Sequence, residues 1–413
     1  MKSKIYIYNP STKSGGTNNL MFNLAVLLNT KENYEVVYLD YENSPFMDII
    51  SGNNIQINHV IVRDEERLMI NDGIFISILL AVKSFNNNVF LSDNTRMLFW
   101  STHPDDGLKI LSSFNIWLRL PLRYRWIIST LIHPFLKTKI RSFFKQGIKK
   151  NGIFFMDNEN VKSNRAFYNL NEKATILPIF TSYPKDVEKK TNEVLNLKTL
   201  KIIVLGRFTS FKVNSLFGLI EQILDYKRSN NLIIEVDFIG NGPLLDKTKE
   251  WIANKGLKNC NYYGHVNLPD LDKIIVNYDL LIGMGTSLLE SAKLKIPSLA
   301  IYASNDKLTK DNVKLRWLYE LKPYEVGGFV SAKDKEIDGK MFSNIVEELE
   351  ENKKDIGKKC YNHWQKYHSP SSTFEKIENI IESNSFFFKE QKHLLKEDYT
   401  SKMINSFKRA LQK

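Results

Sequence analysis

Arg207 and Lys212 follow Gly206, which ends the apolar, β-branched run Leu200–Leu205. Further along, Leu280–Ile282 ends at Gly283-Met284-Gly285-Thr286-Ser287, and a helical stretch then carries Glu290. A strand that ends in glycine and opens into a helix presents bare backbone N–H groups and a positive dipole end above the sheet. Two full positive charges beside it call for an anion, and a diphosphate is the common one. A carboxylate such as Glu290 accepts hydrogen bonds from the hydroxyl pair of a ribose. Together these residues predict a nucleotide-diphosphate pocket. The bland readings are two surface cations after a strand, and a helix glutamate that complements the dipole.

Such a pocket needs strands to carry the glycines and helices to open behind them. The chain alternates the two from its start. Lys4–Tyr8 reads as a strand, Ser14-Gly15-Gly16-Thr17 as a loop and Asn18–Leu28 as an amphipathic helix. Tyr34–Leu39 and His59–Val62 read as strands, Ile74–Phe85 as a helix, Arg96–Ser101 as a strand, and Ile153–Met156 and Thr175–Pro178 as further strands. Alternation of this kind predicts an α/β protein with parallel sheets covered by helices on both faces. Thr181–Thr199, with Pro184 and many charges, reads as a linker. A second alternating unit runs from Leu200 to about Tyr367, and Ser369-Pro370-Ser371-Ser372 breaks the chain before a short helix, Thr373–Ser383. The expected domains are therefore 1–185, 200–367, and a C-terminal piece, 373–413.

In order and near-spacing, five pieces of 200–301 resemble the C-terminal domain of family 4 glycosyltransferases of the bacterial surface-polysaccharide type. They are Gly206-Arg207 with Lys212, Phe238-Ile239-Gly240-Asn241-Gly242-Pro243, Tyr263-Gly264-His265-Val266, Gly283-Met284-Gly285 with Glu290, and Ile296-Pro297-Ser298. The N-terminal half resembles the family less closely. The resemblance implies the GT-B fold, in which two Rossmann-like doubly wound parallel-sheet domains face each other across a cleft. It implies transfer of a hexose or similar sugar, with retention, from a nucleotide-diphosphate donor to a glycan acceptor. Arg207 and Lys212 match the basic pair that neutralises the departing diphosphate. Arg is suited to grip two phosphate oxygens at once, and Lys acts as a point charge. Glu290 matches the second glutamate of the family's Glu-x7-Glu motif, a ribose ligand, and Gly240 belongs to a donor-side loop. His265 falls in the loop that faces the base, largely through backbone and stacking. In this fold the closing helix returns to the first domain, and Thr373–Ser383 takes that role.

Two positions depart from the family. Ile282 stands where the first glutamate contacts the donor sugar, and Lys295 stands where a glycine is usual, ahead of Pro297. Gly283 and Gly285 are retained, and Thr286 and Ser287 offer replacement hydroxyls. In the N-terminal domain Gly15 and Gly16 resemble the family's glycine loop, which approaches donor phosphate and acceptor; the alternative is an ordinary tight turn. His103, in Phe99-Trp100-Ser101-Thr102-His103-Pro104, resembles a strand-end histidine facing the transferred sugar, where it would hydrogen-bond a hydroxyl or polarise the reacting face. A histidine simply bonded to backbone is the competing reading. Asp105 and Asp106 are expected to cap the next helix. No Asp-x-Asp motif lies near a strand end, so no obligatory metal and no cofactor are expected. Two other classes stay open, a GT-B nucleotide-sugar epimerase and a non-catalytic nucleotide-sugar-binding subunit.

Composition agrees with two large cores. The chain has 413 residues, 43% of them hydrophobic, and only two cysteines, Cys260 and Cys360, which leaves no room for a disulfide scaffold. No signal-like segment or membrane span is visible, and a cytoplasmic protein is expected. The net charge of +12 is uneven: between Asp106 and Asp157 there are ten basic residues and no acid. Within this segment, 109–150, the cations alternate with Phe114, Trp117, Tyr124, Trp126, Phe135, Phe143 and Phe144. Basic residues mixed with Trp and Phe suit a peripheral contact with the anionic inner face of a membrane, and hence a lipid-linked acceptor. The same residues also suit a domain core with a solvated face. Nucleic acid is not expected, since no recognised binding module is present. The end, Asn384–Lys413, carries Phe386-Phe387-Phe388, Leu394, Leu395, Met403, Ile404, Phe407 and Leu411; it reads either as an amphipathic helix on a membrane or partner, or as a segment packed on the N-terminal domain.

Overall fold

The structure is a computed structural model that describes residues 2–9, 15–41, 44, 57–63, 66–83, 89–111, 124, 127, 130–131, 134–184, 199–258, 260–334 and 336–395. Fourteen strands are described: β1 (Ser3–Tyr8), β2 (Tyr34–Asp40), β3 (Asn58–Ile61), β4 (Leu68–Ile70), β5 (Ile74–Ile78), β6 (Val89–Leu91), β7 (Arg96–Ser101), β8 (Ile153–Phe155), β9 (Thr175–Ile176), β10 (Thr199–Leu205), β11 (Ile233–Ile239), β12 (Leu280–Gly283), β13 (Ser298–Ile301) and β14 (Leu315–Trp317). The described helices are α1 (Gly16–Asn29), α2 (Asp106–Leu111), α3 (Pro134–Lys149), α4 (Asn158–Tyr168), α5 (Ser210–Ser229), α6 (Leu245–Asn254), α7 (Leu268–Ile275), α8 (Thr286–Ala292), α9 (Phe342–Tyr367), α10 (Pro370–Ser383) and α11 (Phe388–Leu395).

The first sheet has the order β3-β2-β1-β5-β7-β8-β9 and is parallel throughout. The second has the order β11-β10-β12-β13-β14, parallel except for its last strand. Both are doubly wound: the strand order reverses between β1 and β5 in one and between β10 and β12 in the other. Open α/β sheets bind ligands outside the carboxyl ends of the strands at such reversals. The expected α/β doubly wound architecture is what the chain adopts.

The central strands are covered on both sides, which explains one correction. Ile74–Phe85 does not form a single helix. Ile74–Ile78 is the fifth strand, paired with β1 on one side and β7 on the other, and a short 3-10 turn, Leu79–Lys83, follows it. A strand buried on both faces is an unbroken apolar run, and its periodicity cannot be told from that of a buried helix. The small parallel pair β4–β6 was also not foreseen. Lys295 has φ of 60°, the left-handed conformation that makes glycine usual at this position; Lys295 holds it with its ammonium 5.0 Å from the Tyr361 ring.

The second unit is tied back to the first by its last helices. Trp364 Nε1 donates to Thr181 Oγ1 at 2.9 Å, and His368 Nδ1 lies 2.7 Å from the Ile179 carbonyl. Ser369 caps α10 by accepting from the Ser372 N–H, with Pro370 at the first turn, so this helix starts earlier than expected. Arg96 Nη1 donates to the Ile381 carbonyl at 3.0 Å, and Lys31 sits 4.2 Å from the Phe374 ring. Asn384 then donates to the carbonyls of Met97 and Asn151, and Phe386 is fully buried in the first sheet's core. Through residue 395 the C-terminal segment therefore packs on the N-terminal sheet, with α11 fixed to α3 by Lys150–Glu390 at 2.6 Å and by Gln391 donating to Gln146. Met403, Ile404, Phe407 and Leu411 lie outside the described residues.

The basic segment divides. Phe143 and Phe144 belong to the core and do not face a membrane, and Lys137 is buried against the Phe167 ring. Lys145 pairs with Glu172 and Lys150 with Glu390. Tyr124, Leu131 and Phe135 are exposed. Phe114, Trp117, Arg119, Arg123, Arg125 and Trp126 lie outside the described residues. No described helix is long and apolar enough to cross a membrane.

Candidate functional site

The second sheet's reversal carries most of the expected site. Leu205 pairs with Gly283, so the strand ends that lead into Gly206-Arg207 and into Met284-Gly285 are neighbours. Lys212, in the first turn of α5, reaches back over this edge: its Nζ lies 3.6 Å from where a Cβ on Gly206 would stand. Arg207 is exposed, and neither cation has a carboxylate partner among the described residues. Burial pulls the Lys212 ammonium down to about 8, and the Arg207 charge adds to the pull. Two unpaired like charges held together at a strand end have the electrostatics of an anion site.

Gly240 packs beneath this edge. It has φ of +135°, and a Cβ there would stand 2.0 Å from the Gly206 carbonyl oxygen. Its N–H donates to the Gly264 carbonyl at 2.7 Å, and Phe208 N–H donates to the Asn241 carbonyl at 3.0 Å. The loops after β10 and β11 and the turn at Tyr263–His265 are thus sewn together by backbone, with His265 exposed.

The second glycine edge is less open than its sequence implies. Gly285, with φ of 69°, gives its N–H to the Val326 carbonyl at 2.7 Å, and Ser287 Oγ donates to the Met284 carbonyl at 3.1 Å. Ile282 is fully buried in β12, between Val204 and Leu299. That position lies in the sheet. Ile282, which stands where the resemblance puts a sugar-contacting glutamate, is a core side chain here. Glu290 is buried, with Lys293 Nζ 2.6 Å from Oε2; the same ammonium lies 2.9 Å from Asp272 Oδ1 on α7.

From the first sheet, Gly15 caps α1 in an extended conformation with open space around its Cβ position. A Cβ on Gly16 would lie 3.0 Å from Thr286 Oγ1, so the glycine loop and α8 meet across the cleft. His103, past β7, also faces the second unit: its ring lies 6.2 Å from that of Phe329, edge to face, and Phe329 stands 5.8 Å from Phe211 beside Lys212. The Asp105 N–H donates to His103 Nδ1 at 3.1 Å. Burial, with help from Lys109 and against Asp105, lowers the imidazole to about 4. The ring is therefore neutral near pH 7, with its proton on Nε2 and free to donate. Asp106 does not cap α2 in the expected sense. Its Oδ2 accepts from the backbone N–H groups of Thr102 and His103, which fixes the loop that carries the histidine, and burial pushes it up to about 6.

Sequence reasoning missed the Asp272–Lys293 pair, the Val326 carbonyl over Gly285, and Phe329. Glu290 and Lys293 share the i, i+3 spacing of a helical ion pair, a signal that was visible; Asp272 and Val326 arrive only through tertiary packing.

No protein-family model and no curated protein matches the sequence. Solved structures do. The chain is similar to HepE from Anabaena, with TM-score 0.54 and 10% identity over 92% of this chain and 100% of HepE, in a crystal structure with UDP and glucose. A second HepE structure, with UDP-glucose, aligns with TM-score 0.54, 11% identity and coverage of 92% and 100%. TarM of S. aureus aligns with TM-score 0.53 and 11% identity over 92% of this chain and 99% of TarM. At such identities the likeness establishes the fold, and the chain has the GT-B fold.

Proposed function

We propose that the chain is a GT-B glycosyltransferase that moves a hexose-type sugar from a nucleotide-diphosphate donor to a glycan acceptor, with retention, in surface polysaccharide biosynthesis. The observation that carries this reading is the unpaired Arg207–Lys212 couple at the second sheet's reversal, opposite the Gly15–Gly16 loop and His103. In this reading Arg207 and Lys212 hold the diphosphate and stabilise its charge as the sugar–oxygen bond breaks. Neutral His103 donates from Nε2 to a hydroxyl of the transferred sugar. Glu290 accepts from the ribose, and Gly15 and Gly16 let backbone approach the phosphates and acceptor. Because HepE was crystallised with UDP-glucose, a uridine donor is tested first.

The experiment is a thermal-shift screen with UDP-, GDP-, ADP- and CDP-linked sugars, followed by incubation of the best one with the protein. A raised melting temperature and slow release of free sugar with retained anomeric configuration are expected. An epimerised sugar would make the chain an epimerase, binding without turnover would make it a binding subunit, and no shift with any donor would remove the nucleotide reading.

We also propose that the acceptor is lipid-linked and that the chain sits peripherally on the anionic inner face of the membrane. Exposed Leu131 and Phe135, within the acid-free segment, support this reading. Binding to anionic vesicles is expected at 0.1 M salt and is expected to weaken at 1 M, as the Debye length shortens from about 10 Å to about 3 Å. Replacing Arg119, Arg123 and Arg125 with Ser is expected to lower vesicle binding and leave donor binding intact. Co-sedimentation checks both; binding indifferent to salt and to the triple change would return the segment to a packed helix with a solvated face.

A further inference from the structure

We infer that Lys293, anchored by Asp272, is a positioning residue for Glu290, so that the three side chains form one receptor for a nucleoside's ribose diol. This rests on the nucleotide reading of the cleft and adds to it a group outside the glycine edges. Lys293 Nζ lies 2.6 Å from Glu290 Oε2 and 2.9 Å from Asp272 Oδ1, and the side chains of all three are at most 7% exposed.

Glu290 still has acceptor capacity to fill. An ionised carboxylate takes about four hydrogen bonds, and among the described residues only Lys293 pairs with Glu290. A vicinal diol brings two O–H donors and no charge, which is what a carboxylate already paired with one cation can accept. The placement fits. α8, which carries Glu290 and Lys293, opens directly from Gly283–Gly285, beside the diphosphate cations. α7, which carries Asp272, follows the Tyr263–Val266 turn, itself bonded to Gly240. Lys293 therefore joins the helix behind one cleft loop to the helix behind another.

Lys293 does two things to Glu290. It fixes the rotamer of the carboxylate from below. It also opposes the burial that pushes the Glu290 carboxyl up. Lys293 itself is pulled down by burial, but Glu290 and Asp272 outweigh that and hold it charged. Selectivity for ribose over deoxyribose thus depends on a lysine that never touches the sugar.

Calorimetry with UDP, GDP, ADP and CDP identifies the tightest diphosphate, which is then compared with its 2′,3′-dideoxy analogue. The wild-type protein is expected to prefer the ribose form by about ten- to a hundredfold, the scale of charge-assisted hydrogen bonds. In Lys293→Met the ribose form is expected to fall to the level of the dideoxy form. The dideoxy affinity stays as in wild type, because Arg207 and Lys212 still hold the phosphates. A general loss of structure would lower both affinities together, so the ratio isolates positioning. Should Lys293→Met not fold once the ammonium between the two carboxylates is gone, Asp272→Asn with Lys293→Met removes one of those carboxylates and gives the same readout. A wild-type preference that persists in both variants overturns the inference alone. Equal affinities for ribose and dideoxy forms in the wild type, or no nucleotide binding, overturn the ribose reading and the inference with it.

Discussion

Lys212→Met is expected to lower turnover about a hundred- to a thousandfold, and Arg207→Ala to come close to it, the loss seen when one preorganised donor to a developing charge is removed. Neither change should unfold the protein. The Arg207 charge disfavours the Lys212 ammonium and no carboxylate pairs with either among the described residues, so in the absence of donor they repel. Removing either is expected to leave the melting temperature unchanged or slightly higher while donor affinity falls. That opposition of stability and function marks a site built for a ligand rather than for the fold. Turnover within threefold of wild type in folded Lys212→Met would take the lysine out of the chemistry.

The same lysine sets a pH limit. Its ammonium titrates at about 8, lowered first by burial and then by Arg207. Below that pH it is charged and receptive to phosphate; above it the amine offers no full charge. kcat/KM reports the free protein, so it is expected to fall as pH rises through about 8. In the donor complex the phosphates favour the ammonium, and kcat is expected to hold to higher pH. Lys212→Arg, charged up to a pH of about 12, should remove the fall in kcat/KM even if its magnitude is lower throughout. His103, neutral over this whole range, adds no second limb. A flat wild-type profile between pH 7 and 9.5, or an identical fall in the arginine variant, would separate Lys212 from the diphosphate.

The parts of this site that could be read from the chain are those written locally. Leu200–Leu205 and Leu280–Ile282 are apolar runs stopped by glycine, and each became a central strand whose end carries charge or glycine. Ile74–Ile78 was lost because a strand covered on both faces has no alternation to betray it. Ile282 is a subtler case. As an aligned position it reads as a glutamate replaced, but in space it is a core residue of β12, and its burial depends on the packing of the second sheet. Glu290 is singled out in the sequence by its place one turn past a glycine strand end. That its carboxylate shares a buried lysine with Asp272 depends on α7 packing against α8, which no local pattern records. Phe386 reads from the sequence either as a ring for a membrane or partner or as a residue packed on the N-terminal domain, and it is the second. Its burial against Gly152 depends on a glycine far upstream, which leaves the space where any Cβ would overlap the ring.

Gly240→Ala is expected to destabilise the second unit by about 3 kcal/mol or more, because two costs act together. The residue's φ of +135° lies where side chains are rarely tolerated, which by itself costs about 1–3 kcal/mol. The new methyl would also stand 2.0 Å from the Gly206 carbonyl oxygen, which is backbone and cannot swing aside. Relief must come from parting the β10 and β11 ends. That breaks the bond from Gly206 N–H to the Ile239 carbonyl and the one from Gly240 N–H to the Gly264 carbonyl, at 3.0 and 2.7 Å. Gly206 then moves from under Lys212, and Arg207 moves with it. A drop of about 6–12 °C in the melting temperature of this unit is expected, at about 2–4 °C per kcal/mol for a domain of this size. Nucleotide affinity should be lost even below the melt. Gly15→Ala supplies the contrast. Its backbone is extended and nothing lies within 4 Å of its Cβ position, so the fold should not register the methyl. If donor binding nevertheless weakens in Gly15→Ala, that glycine is kept for the ligand's approach, whereas Gly240 is kept for the protein's own backbone. Calorimetry and thermal melts on the two variants separate these roles. A Gly240→Ala protein that melts with wild type would mean the loops after β10 and β11 are not locked as described.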